Sequence, residues 1–200
     1  MIDAKKLVKR LAGLKMVYYK IPIKLPELDC SILKGEFFEG YGETFRQYHI
    51  KDQEYLNNVI FKYIKFHIPP DRVVLCEVNE LGVDPHFDEN TTALNYYLDP
   101  ADCVTTFWKP KPTAIARVLP QLQQDGTLVE TSVRQYDIND LEEIASFQAE
   151  KGDLYLLNIK QLHSAKKYSN NQNIRKIVRW MWDKENYFRI IKSIELINSK

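Results

Sequence analysis

The sequence predicts a mainly β domain of the α+β class, a β-sandwich or jelly roll supported by helices in the N-terminal part of the chain. Two observations lead to this prediction. Residues 1–70 contain two segments whose apolar residues recur at helical spacing. From residue 72 onward, about eight short runs rich in β-branched and aromatic residues follow one another, with turn residues between them. A double-sheet arrangement would bury such runs and protect their edges.

Length and composition fit one domain of ordinary size. The chain has 200 residues, 44% of them hydrophobic, and a formal net charge of +1. We predict a single domain over 1–200, with N-terminal helices and outer strands in 1–70 and the β core in 72–182. Such a balanced charge does not indicate nucleic acid as a partner, although it leaves a local basic patch open.

The cysteines and the hydropathy pattern indicate the compartment. Cys30, Cys76 and Cys103 are widely spaced and form no CxxC pair, which favours free thiols in a reducing environment. No stretch approaches the roughly 18 consecutive apolar residues that a membrane-spanning helix needs. We therefore expect a cytoplasmic protein without a membrane partner, and the sequence gives no indication of its oligomeric state.

The N-terminal elements follow from local periodicity. An amphipathic helix is predicted over 3–14, and short extended pieces are predicted over 17–38, where prolines and a glycine interrupt the chain. A second helix is predicted over 51–66, and two prolines follow it. Its apolar stripe is formed by Tyr55, Val59, Tyr63 and Phe66.

The core is predicted to consist of short strands. The β-type runs are residues 72–78, 93–98, 103–108, 114–119, 127–133, 146–151, 153–159 and 174–182. The segment around Gln124-Asp125-Gly126 is predicted to be either a hairpin or a mobile flap. Residues 1–70 and the insertion near 110–150, which contains this segment, are the expected walls of any substrate site.

Two of the four histidines lie in segments that could bind a metal ion. His86 and Asp88, in LGVDPHFDEN, are two residues apart and would point to the same face of a strand. His163 lies in GDLYLLNIKQLHSA, near the far end of an apolar strand that follows a Gly-Asp turn. Each segment alone is weak evidence for a metal site, since an HxD pair arises often by chance and a single buried histidine is usually structural. Together they offer two imidazoles and one carboxylate, which would leave three positions of an octahedral Fe(II) open.

A third segment, IRKIVRWMW at 174–182, places arginine on an apolar strand. Arg175, Ile177, Arg179 and Met181 alternate with residues of the opposite face. An arginine that faces an apolar interior needs an anion, and a planar guanidinium binds a carboxylate through two hydrogen bonds. The ordinary alternative is a surface strand with exposed salt bridges.

The order of these segments resembles the 2-oxoglutarate/Fe(II)-dependent oxygenase superfamily over roughly residues 73–182. ALNYYLDPADCVTTFWKP is similar to the strand pair that follows HxD in that family, and GDLYLLNIKQLHSA is similar to its strand with the distal histidine. The resemblance implies a double-stranded β-helix, which is a jelly-roll or cupin-like fold. It also implies Fe(II) bound by His86, Asp88 and His163. The presence of the Asp88 carboxylate, which related halogenases lack, favours hydroxylation.

The resemblance further implies 2-oxoglutarate as cosubstrate, with O2 and an unidentified substrate as the other partners. Arg175 is the expected anchor of 2-oxoglutarate, Arg179 is the second choice, and Asn95 and Tyr97 match positions that often contact it. The chain departs from the family pattern because Arg175 follows the distal histidine by twelve residues, where about ten are usual. Ile177 also stands where serine or threonine is common, and Asp102 and Cys103 replace paired glycines.

Two other functions stay open from the sequence. One is a non-enzymatic, cupin-like metal- or ligand-binding module. The other is a cupin-type metal-dependent isomerase or hydrolase that uses zinc or manganese at the same three residues. The binding module need not consume 2-oxoglutarate, and the isomerase or hydrolase would need neither an inward-facing Arg175 nor O2. His49 and His67 have no ligand-like neighbours and are expected to be structural or exposed, and Cys76 is expected in the core.

Overall fold

The structure, a computed structural model, describes residues 16–41, 44–79, 82–88, 91–118, 120–130, 134–168 and 173–197. The helix predicted over 3–14 lies outside the described residues. Up to residue 70, the elements are β1 (Tyr18–Lys24), α1 (Cys30–Leu33), β2 (Lys34–Tyr41), β3 (Phe45–Ile50), α2 (Gln53–Ile60) and β4 (Ile64–Phe66).

The rest of the described chain consists mainly of strands. These are β5 (Arg72–Val78), β6 (Val83–Phe87), β7 (Thr92–Asp99), β8 (Cys103–Pro110), β9 (Ala116–Val118), β10 (Gln121–Leu122), β11 (Leu128–Val129) and β12 (Arg134–Tyr136). A short 3-10 turn (Ile138–Asp140) precedes β13 (Leu141–Gln148), β14 (Asp153–Leu157), β15 (His163–Lys167) and β16 (Arg175–Trp182). Helix α3 (Tyr187–Ser193) and β17 (Ile194–Leu196) complete the described part.

The strands form antiparallel sheets, so the predicted mainly β fold with a few helices is confirmed. A nine-stranded sheet has the order β1-β14-β7-β16-β5-β3-β2-β10-β11. A six-stranded sheet has the order β13-β8-β15-β6-β12-β9, and β17 pairs with β4 in a small third sheet. Each strand pairing in the described ranges is antiparallel.

Two apolar clusters cover the two faces of the nine-stranded sheet. One lies against the six-stranded sheet and includes Cys76, Ile177 and Met181 together with Phe107 from β8. The other lies under the helices and includes Leu56 of α2, Ile190 of α3, Val178, Trp180 and Trp182. The alternation predicted for β16 is therefore confirmed, and Arg175 and Arg179 share the side of Ile177, which faces the six-stranded sheet.

The second predicted helix is correct in position and wrong in length. It ends at Ile60, because Ile64–Phe66 pairs with Ile194–Leu196 far along the chain. Tyr63 and Phe66 therefore lie outside the helix, and its fully buried side chains are Leu56 and Ile60. The side chain of Asp52 caps the helix by accepting a hydrogen bond from the backbone N–H of Tyr55.

The extended pieces predicted over 17–38 correspond to β1 and β2, and a short helix between them was missed. Asp29 caps that helix by accepting a hydrogen bond from the Ser31 backbone N–H. The hairpin around Gln124-Asp125-Gly126 is confirmed, since β10 pairs with β11 and Gly126 has the φ of +84° that favours glycine. No helix in the described part of the chain is long and apolar enough to cross a membrane.

Candidate metal centre

The three predicted ligands come together at the end of β6. His86 of β6 and His163 of β15 are cross-strand partners, and their ring centroids lie 4.6 Å apart. Asp88 follows β6 directly, and its backbone N–H donates to the Ile159 carbonyl at 3.3 Å. One possible ligand atom from each of His86, Asp88 and His163 lies within 4.8 Å of the other two.

His163 does not lie at the end of the strand predicted before it. That strand, β14, ends at Leu157 in the nine-stranded sheet, and His163 begins β15 in the six-stranded sheet. The intervening residues carry the chain from one sheet to the other. His163 can therefore pair with His86, a geometry that one continuous strand would not allow.

Backbone carbonyls fix the orientation of both imidazole rings. Nδ1 of His86 lies 2.7 Å from the Asp84 carbonyl oxygen, and Nδ1 of His163 lies 3.0 Å from the Gln161 carbonyl oxygen. Because a carbonyl oxygen only accepts, each Nδ1 carries the proton and donates. In the neutral rings, Nε2 then has a free lone pair, which is the arrangement found in metal-binding histidines.

Both Nε2 atoms face the carboxylate of Asp88. The distance is 3.2 Å from His86 Nε2 to Oδ1 and 3.7 Å from His163 Nε2 to Oδ2. Oδ2 of Asp88 is buried and has no hydrogen-bond donor. When both imidazoles are neutral, their two Nε2 lone pairs and the Asp88 carboxylate converge without a proton between them, and a bound cation would relieve their repulsion.

Charge around Asp88 keeps it ionised. Burial by itself would raise the pKa of Asp88, but the hydrogen bond to His86 and the positive charges of His86, His163 and Arg179 lower this pKa well below its ordinary value. The two imidazoles contribute to this only when they are protonated, whereas the Arg179 charge is always present. The pKa of His163 is lowered from its ordinary value to about 4, first by burial and then by the charge of His86. At neutral pH, Asp88 is therefore an anion and His163 is neutral, as metal ligation requires.

The depressed pKa of His163 predicts how the stability of the metal-free protein depends on pH. The unfolded imidazole takes up a proton as pH falls through 6.5, whereas the folded one resists protonation until about 4. The free energy of unfolding should therefore fall as pH drops from about 6.5 to about 4, and this contribution should level off below that. Urea unfolding across this range, compared with His163→Gln, isolates the effect. Equal pH slopes for the two proteins would contradict the prediction.

Arg175 lies in a cavity that also contains both histidines. Its side chain is buried, and NH2 donates to the Tyr97 hydroxyl at 3.0 Å and to Thr105 Oγ1 at 2.8 Å. Nε is buried without a hydrogen-bond partner, and within the described ranges no carboxylate pairs with this guanidinium. Neutral hydroxyls orient the cation but leave its charge uncompensated. The site therefore suits an anion.

Arg179 has a different environment. Its Nε donates to Asn95 Oδ1 at 3.0 Å, and its NH1 lies 3.5 Å from Asp88 Oδ2. Arg179 is thus already paired with an anion, whereas Arg175 has no carboxylate partner among the described residues. This difference favours Arg175 as the carboxylate anchor. Of the two other residues predicted to contact the cosubstrate, Asn95 lies beside Arg179 and Tyr97 lies beside Arg175. Thr105 was not singled out from the sequence. Its side chain points from β8 towards the same interior as the side chain of Arg175 on β16, and the two form a hydrogen bond.

The other histidines and Cys76 are not part of the converging group of three. His49 packs against Phe38 with ring centroids 4.8 Å apart, and the half-exposed His67 pairs with Glu195 at 2.7 Å. Cys76 is buried, and burial raises the pKa of its thiol to about 11, so it is an unreactive core residue. The three cysteines are free thiols, as predicted.

Comparison with known proteins assigns no family. No family model matches the chain, and no curated protein matches it. Among solved structures, the chain is similar to vicilin from hazelnut (Corylus avellana), with 8% identity and a TM-score of 0.39. The match covers 96% of this chain and 41% of that chain, so this chain spans about two fifths of the length of the vicilin. A similarity of this size indicates neither a family nor a function.

Proposed function

We propose that this chain is a non-haem Fe(II)- and 2-oxoglutarate-dependent oxygenase that hydroxylates a C–H bond of a substrate still to be identified. In this proposal the two larger sheets form a double-stranded β-helix of the jelly-roll or cupin-like type. The observation that carries the proposal is the convergence of His86, Asp88 and His163 beside a cavity that both histidines share with Arg175, whose buried guanidinium pairs with no carboxylate of the described residues.

The donor set suits Fe(II). Two neutral imidazole nitrogens and one carboxylate oxygen are the ligands of the facial triad that non-haem Fe(II) oxygenases use. Oδ2 of Asp88 is buried without a hydrogen-bond donor, and its ion pair with Arg179 at 3.5 Å leaves this atom able to bind a metal ion. A structural zinc site would instead require four protein ligands, and the described residues offer three here.

The surroundings of Arg175 suit 2-oxoglutarate. This compound carries two carboxylates, one of which can pair with a guanidinium while the other end of the molecule reaches the metal. Thr105 and Tyr97 hold the Arg175 guanidinium in place, so little side-chain entropy would be lost on binding. A metal-dependent isomerase or hydrolase at the same three residues gives no reason to bury this charge.

Each group of the chain has a defined task in this proposal. When bound, Fe(II) and 2-oxoglutarate supply the oxidising chemistry, with O2 consumed and succinate and CO2 released. The carbonyls of Asp84 and Gln161 hold the two imidazoles with Nε2 directed at the metal position. Arg175 binds and orients the cosubstrate, and Phe107, fully buried beside His163, excludes water from one side.

One experiment tests the proposal directly. Fe(II) and 2-oxoglutarate are added to the protein without oxygen, and the weak visible absorption band of the chelated cosubstrate is expected to appear. After air is admitted, succinate should form in amounts that depend on the iron. Zn(II) in place of Fe(II) is the control and should give neither the band nor succinate. Absence of both with Fe(II) would favour the binding-module alternative.

A further inference from the structure

A second cleft lies beside the candidate metal centre, on the side of the N-terminal strands. Asp88 and Arg179 form part of its lining, together with Glu39 of β2, Gln47 of β3 and Arg72 of β5. Its free volume of about 70 Å³ holds a few water molecules or one small polar group of a ligand. A ligand group in this cleft would therefore lie next to the metal position.

The charged side chains of the cleft pair with opposite charges. The Arg72 guanidinium lies 3.9 Å from the carboxylate of Glu39 and 3.6 Å from that of Asp183. The Arg179 guanidinium lies 3.5 Å from Asp88. An ionic group of a ligand would have to compete with these ion pairs, and it would meet two guanidinium groups if cationic or two carboxylates if anionic. The cleft therefore suits a neutral ligand group.

Gln47 brings an unpaired polar atom to this cleft. The residue is only 4% exposed, and within the described part of the chain Oε1 is buried without a hydrogen-bond donor. Its cross-strand neighbours are Glu39 on β2 and Cys76 on β5, and neither is hydrogen-bonded to Oε1. A buried acceptor without a donor lowers the stability of the fold, so its retention points to a ligand that supplies the donor.

Aromatic and apolar side chains form another part of the lining. Tyr41 and Phe45 lie next to each other, with ring centroids 6.0 Å apart, and Val83 and Met181 also line the cleft. Binding sites of this kind combine apolar walls with a few polar groups that orient the ligand. A planar, neutral group with apolar faces and a hydrogen-bonding edge fits such walls.

We propose that Gln47 binds a neutral amide group of the substrate, so that the substrate is a primary carboxamide or a lactam. An amide N–H supplies the donor that Oε1 lacks, and the amide oxygen accepts from Nε2 of Gln47. Both bonds form together only where the N–H and C=O of the ligand lie on the same side, which excludes the trans amide of a peptide bond. This inference rests on the proposed function for the reaction that follows binding, while the binding itself needs neither iron nor 2-oxoglutarate.

The test is an NMR titration of the metal-free protein, followed through the side-chain amide signals of Gln47 and the backbone signals of β3. The probes are propionamide, its trans-amide isomer N-methylacetamide, and the charged analogues propionate and n-propylammonium. Propionate is titrated into Arg175→Met protein, so that the anion site of the proposed function is absent. We expect propionamide to bind at least about fivefold more tightly than each of the others, which is the ratio that one net hydrogen bond gives.

The remaining outcomes of this titration are also decisive. Equal or tighter binding of N-methylacetamide or of either charged probe would overturn the proposal. Binding by none of the probes would mean that the cleft holds water only, and would overturn it as well. 2-Pyrrolidinone distinguishes the two sources of the amide edge, since tighter binding than propionamide assigns a lactam and weaker binding assigns a primary carboxamide.

Variants tie the binding to Gln47. Gln47→Met removes both hydrogen bonds at a similar side-chain length and should weaken propionamide binding at least about fivefold, whereas Gln148→Met, at an exposed position of β13, should not change it. Because Oε1 has no donor, Gln47→Met should unfold at the wild-type temperature or higher. Gln47→Glu is a second test, since its added carboxylate should reverse the preference from propionamide to n-propylammonium. Wild-type probe preference in both variants would overturn the proposal.

The outcome is separable from that of the proposed function. Propionamide binding without iron-dependent succinate formation would support the cleft as an amide site and refute the oxygenase proposal. Succinate formation without propionamide binding would refute the amide site alone.

Discussion

Asp88→Ala and His163→Ala are expected to remove iron-dependent succinate formation, each lowering it by at least roughly a hundredfold. Loss of a residue that only orients a metal ligand already costs about 10–100-fold, and these two residues would bind the metal directly. Each variant leaves two of the three converging ligand atoms. The measurement is succinate released per protein in the presence of Fe(II), together with the Fe(II) affinity determined by anaerobic titration.

The matched control is His67→Ala. His67 is half exposed and pairs with Glu195 outside the cavity, so its removal should change neither iron affinity nor succinate formation. Thermal unfolding checks that the variants remain folded. If Asp88→Ala or His163→Ala kept wild-type iron affinity and activity, the altered residue would not be a ligand, and the metal assignment would have to be withdrawn.

The strand pattern was predictable because alternation is a local property. The order Arg175, Ile177, Arg179 and Met181 already assigns one face of β16 to the interior, and the buried Ile177 and Met181 confirm it. The end of α2 was not predictable from local spacing, since the sequence of Ile64–Phe66 is compatible with a helix as well as with a strand. It becomes a strand through its pairing with β17, which lies about 130 residues further along the chain.

The candidate site was predictable only in part, for a similar reason. His86 and Asp88 are close in sequence, and the distal His163 was found through a resemblance in the order of segments. The contact of Thr105 with Arg175 depends on β8 and β16 facing each other across the interior, and single polar residues on separate strands leave no motif. The contact of Arg179 with Asp88 likewise appears only in three dimensions.

Arg175→Met is expected to raise the KM for 2-oxoglutarate by roughly 30-fold to several thousandfold, because breaking a buried charged pair costs about 2–5 kcal/mol. Methionine has a similar length and no charge, so the cavity should stay filled. Succinate formation measured against the concentration of 2-oxoglutarate gives the KM. Arg189→Met, a change at an exposed residue that pairs with Glu185, is the control and should leave the KM unchanged.

The same variant separates a binding role from a structural one. A salt bridge that stabilises the fold would make Arg175→Met less stable, whereas the Arg175 guanidinium is buried with no carboxylate partner in the described ranges. Its removal should therefore leave the free energy of unfolding of the metal-free protein unchanged or higher. Arg179→Met provides the contrast, since Arg179 contacts Asp88. If Arg179→Met raised the KM for 2-oxoglutarate and Arg175→Met did not, the anchor would be Arg179, and the buried charge of Arg175 would need another anion.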